Sequence, residues 1–173
     1  MPTGITHAAV GLGLAELFAL APMPPSFYGL SMALSVLPDI DVLAFSLGIP
    51  YGARFGHRGF SHSLFCALLV GLAAAWATTA LFGIPWWLLW GFFFVVTASH
   101  GVLDAMTNGG MGIALLAPFD RTRYFFPWRP VQVSPLGFAF FSRWGLRALL
   151  SELVWIWLPL GILVGATKLL PGS

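Results

Sequence analysis

The sequence predicts an all-α, polytopic membrane protein with about five transmembrane helices. Of its 173 residues 58% are hydrophobic and only 8% are charged, and the mean hydropathy is +0.88. Soluble domains carry about 25% charged residues, whereas a run of about 20 apolar residues is long enough to span a bilayer. We therefore expect a single integral membrane domain over residues 1–173, with one sizeable loop and no separate soluble unit.

Five apolar segments predict the spans. They lie at about Ile5–Ala21, Phe27–Leu47, His62–Phe82, Trp86–Met106 and Ala148–Leu170. The first ends at APMPP and the third before GIP, while the fourth opens on a Trp pair typical of the membrane interface. Residues 107–147 form the one long connection, in which alternating Pro, aromatic and Arg residues predict an extended interfacial loop at the headgroup level.

The basic residues predict the orientation. Five spans place the N-terminus, the second–third loop and the fourth–fifth loop on one side of the membrane. Seven of the eight basic residues lie on that side, and Lys168 alone lies at the other. The seven are Arg54, Arg58, Arg121, Arg123, Arg129, Arg143 and Arg147. By the positive-inside rule we expect this side to face the cytoplasm.

All four histidines and three aspartates are expected at this same cytoplasmic layer. They are His7, Asp39, Asp41, His57, His62, His100 and Asp104, and they come from four separate pieces of chain. His100 and Asp104 are four residues apart, which places them on one helix face. Pro38 is expected to break the second helix beside the aspartates. Ionisable groups inside spans are costly, so shared depth indicates a metal or proton site.

Imidazole and carboxylate ligands suit a divalent metal, most simply one or two Zn²⁺ ions, with Mn²⁺ also compatible. Two ions suit in-line displacement at phosphorus by activated water, with Asp104 as a bridging group. Asp39 and Asp41 each fit the role of ligand or of general base, and the sequence leaves both open. Arg58 is expected to bind phosphate oxygens. Thr107, Arg121 and Arg123 are further candidate substrate contacts, although headgroup anchoring also explains the two arginines.

These residues predict a metal-dependent hydrolase that cleaves a phosphoester, most simply in a lipid headgroup. We expect membrane lipids as its partners, and we expect no nucleic acid. The alternatives are a metal-ion or proton transporter using the same cluster, a metal-stabilised scaffold, and a hydrolase of lipid esters or amides. A transporter needs polar groups through the whole membrane. Only Glu16 lies near the far side, where a structural role is favoured.

Four motifs together resemble the YdjM-like family of membrane-bound, metal-dependent hydrolases, some of which are LexA-regulated. They are T-H-x-x-x-G at His7, LPDID at Asp39 and Asp41, FGHRGFSHS around Arg58, and SHGVLDAMTNGG. The later PFDRTRYFFP also fits, so that the resemblance extends to about Pro135. The family is in turn similar, at a distance, to the zinc-dependent phospholipase C and P1 nuclease group.

This resemblance implies a bacterial inner-membrane location, phosphoester or phospholipid substrates, and metal ligands among the residues of the four motifs. The chain departs from the zinc-dependent group in lacking an H-x-x-x-E ligand pair further along. We therefore expect one or two metal ions rather than a three-zinc centre.

Overall fold

The computed structural model describes residues 1–19, 21–135 and 137–169, and the regular secondary structure of this part of the chain is helical. The α-helices are α1 (Gly4–Phe18), α2 (Pro25–Val36), α3 (Leu43–Ser46), α4 (Leu64–Phe82), α5 (Trp86–Ala105), α6 (Arg143–Glu152) and α7 (Leu158–Leu169). Short 3-10 segments cover Leu37–Val42, Phe60–His62 and Gly137–Phe141, and a π-helical segment, Leu153–Trp157, joins α6 to α7. The described part of the long loop contains two isolated β-bridges, between Thr107 and Val131 and between Ile113 and Tyr124.

Four helical stretches are long and apolar enough to cross a membrane, which confirms the all-α, polytopic fold class. They are Pro25–Ser46, Leu64–Phe82, Trp86–Ala105 and Arg143–Leu169. The first expected span is present as α1, an apolar helix of 15 residues, and is shorter than the roughly 20 residues that a span requires. The predicted end of the fifth span, Leu170, lies outside the described residues.

The last helix begins earlier than the sequence predicted. It starts at Arg143 rather than at about Ala148, because the Ser142 side chain caps it by accepting a hydrogen bond from the Trp144 amide. The interfacial loop therefore ends at residue 142 and not at residue 147. The break predicted at Pro38 is confirmed, since α2 gives way there to the 3-10 segment Leu37–Val42.

The helices bring four chain segments to one end of the bundle. The hydroxyl of Ser35, at the end of α2, donates a hydrogen bond of 2.7 Å to the carbonyl of His7, which lies near the start of α1. The Nδ1 of His100, late in α5, lies 2.8 Å from the carbonyl of Ser35. At the opposite end, Glu16 pairs with Lys168 at 3.0 Å. The prediction of one shared layer is therefore matched by the packing of the helices.

An apolar core lies between these two ends. Its buried members include Phe27 from α2 and Leu89, Phe92, Phe93 and Val96 from α5. These apolar side chains are close-packed, so they hold α2 and α5 together between the polar layer and the far end of the bundle. The same core separates the polar layer from the Glu16–Lys168 pair.

Close packing of α1 on α2 depends on Gly11, which leads to our first prediction. A Cβ at this position would lie 2.6 Å from the Ser31 carbonyl oxygen and 2.9 Å from the Ser35 Cβ. Gly11→Ala should therefore destabilise the protein by about 1–3 kcal/mol, because the backbone of one helix must move. A lower thermal unfolding midpoint in detergent would show this effect. Gly29→Ala is the matched control, since nothing lies within 4 Å of its Cβ, and a midpoint that falls equally in both variants would contradict the prediction.

Candidate metal centre

Five side chains converge at the polar end of the bundle and form what we call the central cluster. They are His7 from α1, Asp39 from the 3-10 segment after α2, His62 from the 3-10 segment before α4, and His100 and Asp104 from α5. The three histidines and Asp104 are buried, and the Asp39 side chain is 10% exposed. Their ligand atoms form two overlapping groups, each with all atoms within 4.8 Å of one another: His7, Asp39 and His100; and His62, His100 and Asp104.

The distances within the central cluster suit shared ligands of one or two cations. The Nε2 atoms of His62 and His100 lie 3.1 Å apart, and the Oδ1 of Asp39 lies 3.3 Å from the Nε2 of His100. Asp104 reaches two histidines, with Oδ1 3.5 Å from the Nε2 of His7 and Oδ2 3.4 Å from the Nε2 of His62. The rings of His7 and His100 stack with centroids 3.7 Å apart.

Six buried atoms of this cluster lack a hydrogen-bond partner among the described residues. They are both ring nitrogens of His7 and both carboxylate oxygens of Asp39 and of Asp104. Buried polar atoms are almost always hydrogen-bonded, and the exceptions call for an explanation such as a bound ion. Imidazole nitrogen and carboxylate oxygen are ligands for Zn²⁺ and related metals. The residues present therefore fit a divalent metal.

The charge balance of the site points the same way. Asp39, Asp41 and Asp104 face one guanidinium, that of Arg58, which leaves two negative charges uncompensated when the histidines are neutral. Burial by itself lowers the pKa of His62, but its contacts with Asp104, Asp39 and Asp41 outweigh burial and raise that pKa well above the ordinary value. The carboxylates thus favour added positive charge, which a divalent cation also supplies.

Outer hydrogen bonds direct two of the histidines. Because the Ser35 carbonyl only accepts, the Nδ1 of His100 carries the proton, and in the neutral ring Nε2 keeps a lone pair. The Nδ1 of His62 lies 3.0 Å from Oδ2 of Asp41, which fixes this ring in the same way. Carboxylates and carbonyls behind metal-binding histidines have this role in known sites. Both Nε2 atoms therefore face the centre as potential ligands.

Asp41 and His57 form a flanking pair beside the cluster. Oδ1 of Asp41 lies 2.6 Å from Nδ1 of His57. Oδ2 accepts hydrogen bonds from the Ser61 hydroxyl at 2.5 Å and from the Arg58 amide at 3.1 Å. Because both oxygens are already engaged, the structure favours Asp41 as an orienting carboxylate. The predicted ligand roles of Asp41 and His57 stay predictions, since these two also form a possible ligand group with Asp39 and His62.

Arg58 is fully buried behind Asp104. Its Nε lies 2.9 Å from Oδ2 of Asp104, and its two terminal nitrogens donate to the Gly109 carbonyl and the Thr107 hydroxyl, each at 3.0 Å. Its φ of 61° is a strained conformation for a residue with a side chain, and the surrounding contacts must stabilise it. The predicted phosphate contacts of Arg58 and Thr107 stay predictions, because both side chains are buried and bonded to protein groups.

Arg121 and Arg123 lie elsewhere, around a separate cavity. The guanidinium of Arg123 donates to the carbonyl oxygens of His57 and Arg58, both at 3.3 Å. These carbonyls belong to residues whose side chains contact Asp41 and Asp104, so Arg123 lies on the other face of this segment. The structure therefore does not join the two arginines to the central cluster.

Comparison with known proteins agrees with the motif order and the membrane fold. The family model described as YdjM inner membrane protein matches residues 1–169. The chain belongs to this family. It is also 39% identical over 166 residues to the inner membrane protein YbcI of Escherichia coli (strain K12), covering 95% of this chain and 96% of that protein. No solved structure matches the chain. The YdjM-like resemblance is thereby confirmed, and the distant similarity to the zinc-dependent phospholipase C group stays a prediction.

Several groups that support the site of this YdjM-family protein were not predicted from its sequence. The carbonyls of Ser35 and Gly109 and the hydroxyl of Ser61 all hold site residues, but backbone carbonyls carry no signal in a sequence. Glu152, which lies outside the predicted site, is buried and accepts hydrogen bonds from the hydroxyls of Thr3 and Thr6. It thereby ties the start of α1, just before His7, to the end of α6.

Asp41→Asn tests the orienting role and is our second prediction. The amide keeps the shape of the carboxylate but removes the charge that holds the Nδ1 protons of His57 and His62. We expect zinc affinity to fall by about 10–100-fold, the usual effect of losing an outer carboxylate. Competition with a zinc chelator measures this change in the purified YdjM-family protein. A decrease beyond about 1,000-fold would instead identify Asp41 as a direct ligand, and unchanged affinity would exclude both roles.

Proposed function

We propose that this inner-membrane protein is a metal-dependent hydrolase that cleaves a phosphoester, with a phospholipid or related lipid as substrate. The observation that carries the proposal is the set of six buried ligand atoms on His7, Asp39 and Asp104 that lack a hydrogen-bond partner among the described residues. Together with the Nε2 atoms of His62 and His100, these residues would hold one or two ions, zinc or manganese by their ligand chemistry. A bound divalent metal supplies Lewis-acid activation of water and of a phosphoryl oxygen.

The number of ligands supports catalysis over a purely structural metal. Structural zinc sites use four protein ligands in a closed set, whereas catalytic sites leave a position open to water or substrate. Five residues of the central cluster and the flanking Asp41–His57 pair exceed what one closed site needs. Asp39 is the partly exposed member of the cluster, and so marks the side from which a substrate would enter.

His57 is suited to moving the proton in this reaction. Its Nδ1 is held by Asp41 at 2.6 Å, so the neutral ring presents Nε2 as a proton acceptor. Asp41 stabilises the imidazolium that forms when this nitrogen takes a proton, and the same ring can return that proton to the leaving oxygen. Arg58 acts at a different point, because its bond to Asp104 holds that carboxylate toward His7 and His62.

The position of the site favours a lipid substrate. The central cluster lies at the ends of two candidate spanning stretches, Pro25–Ser46 and Trp86–Ala105, which is where lipid headgroups lie. A phosphoester at this depth is reached without lifting the lipid from the bilayer. We also propose that the site faces the cytoplasm, because seven of the eight basic residues belong to the segments at this end of the helices. A reporter fused after Ser173 should then be periplasmic, and a cytoplasmic reporter would exclude this orientation.

The apolar core argues against the transporter alternative. Phe27, Phe93 and Val96 are buried directly between the polar end and the far end of the described bundle. At the far end Glu16 is paired with Lys168 and about one third exposed, as a surface ion pair would be. A transport path needs polar groups near the midplane. The buried hydroxyls that the described residues place at this depth, those of Ser31 and Thr97, donate to carbonyls of their own helices and form no such path.

A mass-spectrometric screen tests the proposed activity. Metal-loaded protein is incubated with phospholipids of each headgroup class, and the products are compared with those of Asp104→Asn and of the control Asp120→Asn. We expect headgroup or phosphate release by the unchanged protein and Asp120→Asn, and none by Asp104→Asn. Release of fatty acid or amine would support the ester or amide alternative. Identical product profiles for all three proteins would reject the hydrolase.

A further inference from the structure

A second polar cavity lies beside the metal centre, on the opposite face of the segment carrying His57 and Arg58. Its volume is about 170 Å³, and its lining includes Arg54, Gly59, Ala117, Arg121 and Arg123. The side chains of His57 and Arg58 contact Asp41 and Asp104 on one face of this segment, whereas their carbonyl oxygens accept hydrogen bonds from Arg123 on the cavity side. The cavity and the metal centre therefore lie on two faces of one backbone segment, and no side chain of the central cluster lines the cavity.

Three guanidinium groups line this cavity without a carboxylate among them. In the described part of the chain no acidic oxygen lies within 4.0 Å of Arg54, Arg121 or Arg123. The neighbouring Asp120 is engaged elsewhere, since it accepts hydrogen bonds from Thr122 and from the Tyr124 hydroxyl. Guanidinium groups bind phosphate oxygens in a bidentate geometry, so this cavity suits a phosphate.

Arg123 is the fixed member of this group. Its two terminal nitrogens donate to four carbonyl oxygens, each at 3.3 Å, which belong to Tyr51, His57, Arg58 and Gly112. The side chain is partly buried, and all four of these hydrogen-bond partners are neutral carbonyls. Arg54 and Arg121 are exposed and so are free to close on an anion that Arg123 attracts.

An apolar groove adjoins the arginine cavity. It has a volume of about 420 Å³ and shares Ala117 and the 117–121 region with that cavity. Its lining comes from the first turns of α4, from α5 and from the loop: Leu64, Phe65, Leu68, Phe94, Leu115, Leu116 and Phe119, with Asp120 at one end. Because α4 and α5 are candidate spanning helices, the groove opens toward the hydrocarbon region. A hydrocarbon chain fits such a groove, since it has no polar groups to satisfy.

We propose that the cavity and the groove together form a binding site for one anionic phospholipid. Its phosphate lies among Arg54, Arg121 and Arg123, and an acyl chain lies in the groove along α4. The site requires no metal and no hydrolysis, and it stands independently of the function proposed above. The protein places the arginines that would bind the phosphate beside the groove that would hold the acyl chain. Both lie at the layer where headgroup phosphates lie.

Binding of phosphatidylglycerol to delipidated full-length protein in detergent tests this site, with native mass spectrometry as the readout. The double variant Arg54→Gln, Arg121→Gln should lose about tenfold or more in affinity, because each arginine near the phosphate contributes to binding. The matched control Arg129→Gln, Arg143→Gln removes two exposed arginines outside the cavity and should bind as the unchanged protein does.

The groove is tested separately by filling it. Leu68→Trp places a large side chain in the groove and should weaken binding, whereas Leu72→Trp, at a similarly exposed position one turn further along α4, should not. If gel filtration shows that the arginine double variant does not fold, the comparison of Leu68→Trp with Leu72→Trp still tests the proposed lipid site. Asp104→Asn should bind the lipid normally, so that a defect in the metal centre and a defect in this site are distinguished.

Three results would overturn the proposal. Equal loss in both arginine pairs would show general attraction of an acidic lipid to a basic surface. Competition by glycerol phosphate as strong as that by phosphatidylglycerol would identify a site for a soluble anion. Equal binding by Leu68→Trp and Leu72→Trp would show that the groove holds no acyl chain.

Discussion

Asp104→Asn should lose bound metal almost completely, with a decrease in zinc affinity beyond about 1,000-fold, well above the 10–100-fold expected for an outer carboxylate. The carboxylate lies 3.5 Å from the Nε2 of His7 and 3.4 Å from that of His62, and both of its oxygens lack hydrogen-bond partners. Replacing one oxygen with an amide nitrogen removes a ligand and one of the negative charges that balance the cation. It also leaves Arg58 without its carboxylate, which places a repelling positive charge near the site.

Elemental analysis of protein purified in detergent measures this effect, and chelator competition gives the affinity. Asp120→Asn is the matched control, because that exposed carboxylate lies in the loop and contacts Thr122 and Tyr124 rather than the cluster. It should retain the metal content of the unchanged protein. Asp104→Asn with full metal content would show that this carboxylate is no ligand, and the proposed centre would then be wrong.

Arg58→Met should destabilise the protein strongly, by about 3–5 kcal/mol, because it breaks a buried ion pair and leaves Asp104 uncompensated. It also removes the donors to the Thr107 hydroxyl and the Gly109 carbonyl, which hold the start of the long loop against α5. Methionine retains a side chain at the strained φ of 61°, so the change isolates the loss of the guanidinium. For a chain of this length we expect the unfolding midpoint to fall by about 10 °C.

The comparison is made in detergent with a chelator present, so that bound metal does not mask the loss. Arg129→Met serves as control, since that exposed guanidinium lies over the Phe125 ring, 4.7 Å from its centroid, and has no acidic partner among the described residues. Its midpoint should stay within about 1 °C, as expected for a surface substitution. Equal midpoints for the two variants would mean that Arg58 does not stabilise Asp104 and is free to serve substrate.

The helices of the bundle were predictable because lipid leaves few alternatives for an apolar chain. Every backbone group in a bilayer needs an internal partner, so long apolar runs form helices. The predicted spans at residues 62–82 and 86–106 agree with α4 and α5 to within two residues. The start of the last helix was predicted too late in the chain, because the capping residue Ser142 follows an aromatic stretch whose sequence is typical of a loop.

The sequence by itself determined that His7, Asp39, His62, His100 and Asp104 share one end of the bundle. Alternating spans of similar length place their ends in two layers, so the depth of each residue follows from its position along its helix. This is why four distant motifs could be assigned to one site without any knowledge of how the helices pack.

Only the tertiary structure decided the roles within that layer. A charged or polar residue at the correct depth can face the centre, support a neighbour or face the lipid headgroups, and helix rotation and loop path decide which. Arg58 proved to be buried against Asp104, Asp41 to hold two histidines, and Arg121 and Arg123 to line another cavity. Such choices depend on contacts between residues far apart in the chain, such as His7 with Asp104, and spacing in a single sequence carries no record of them.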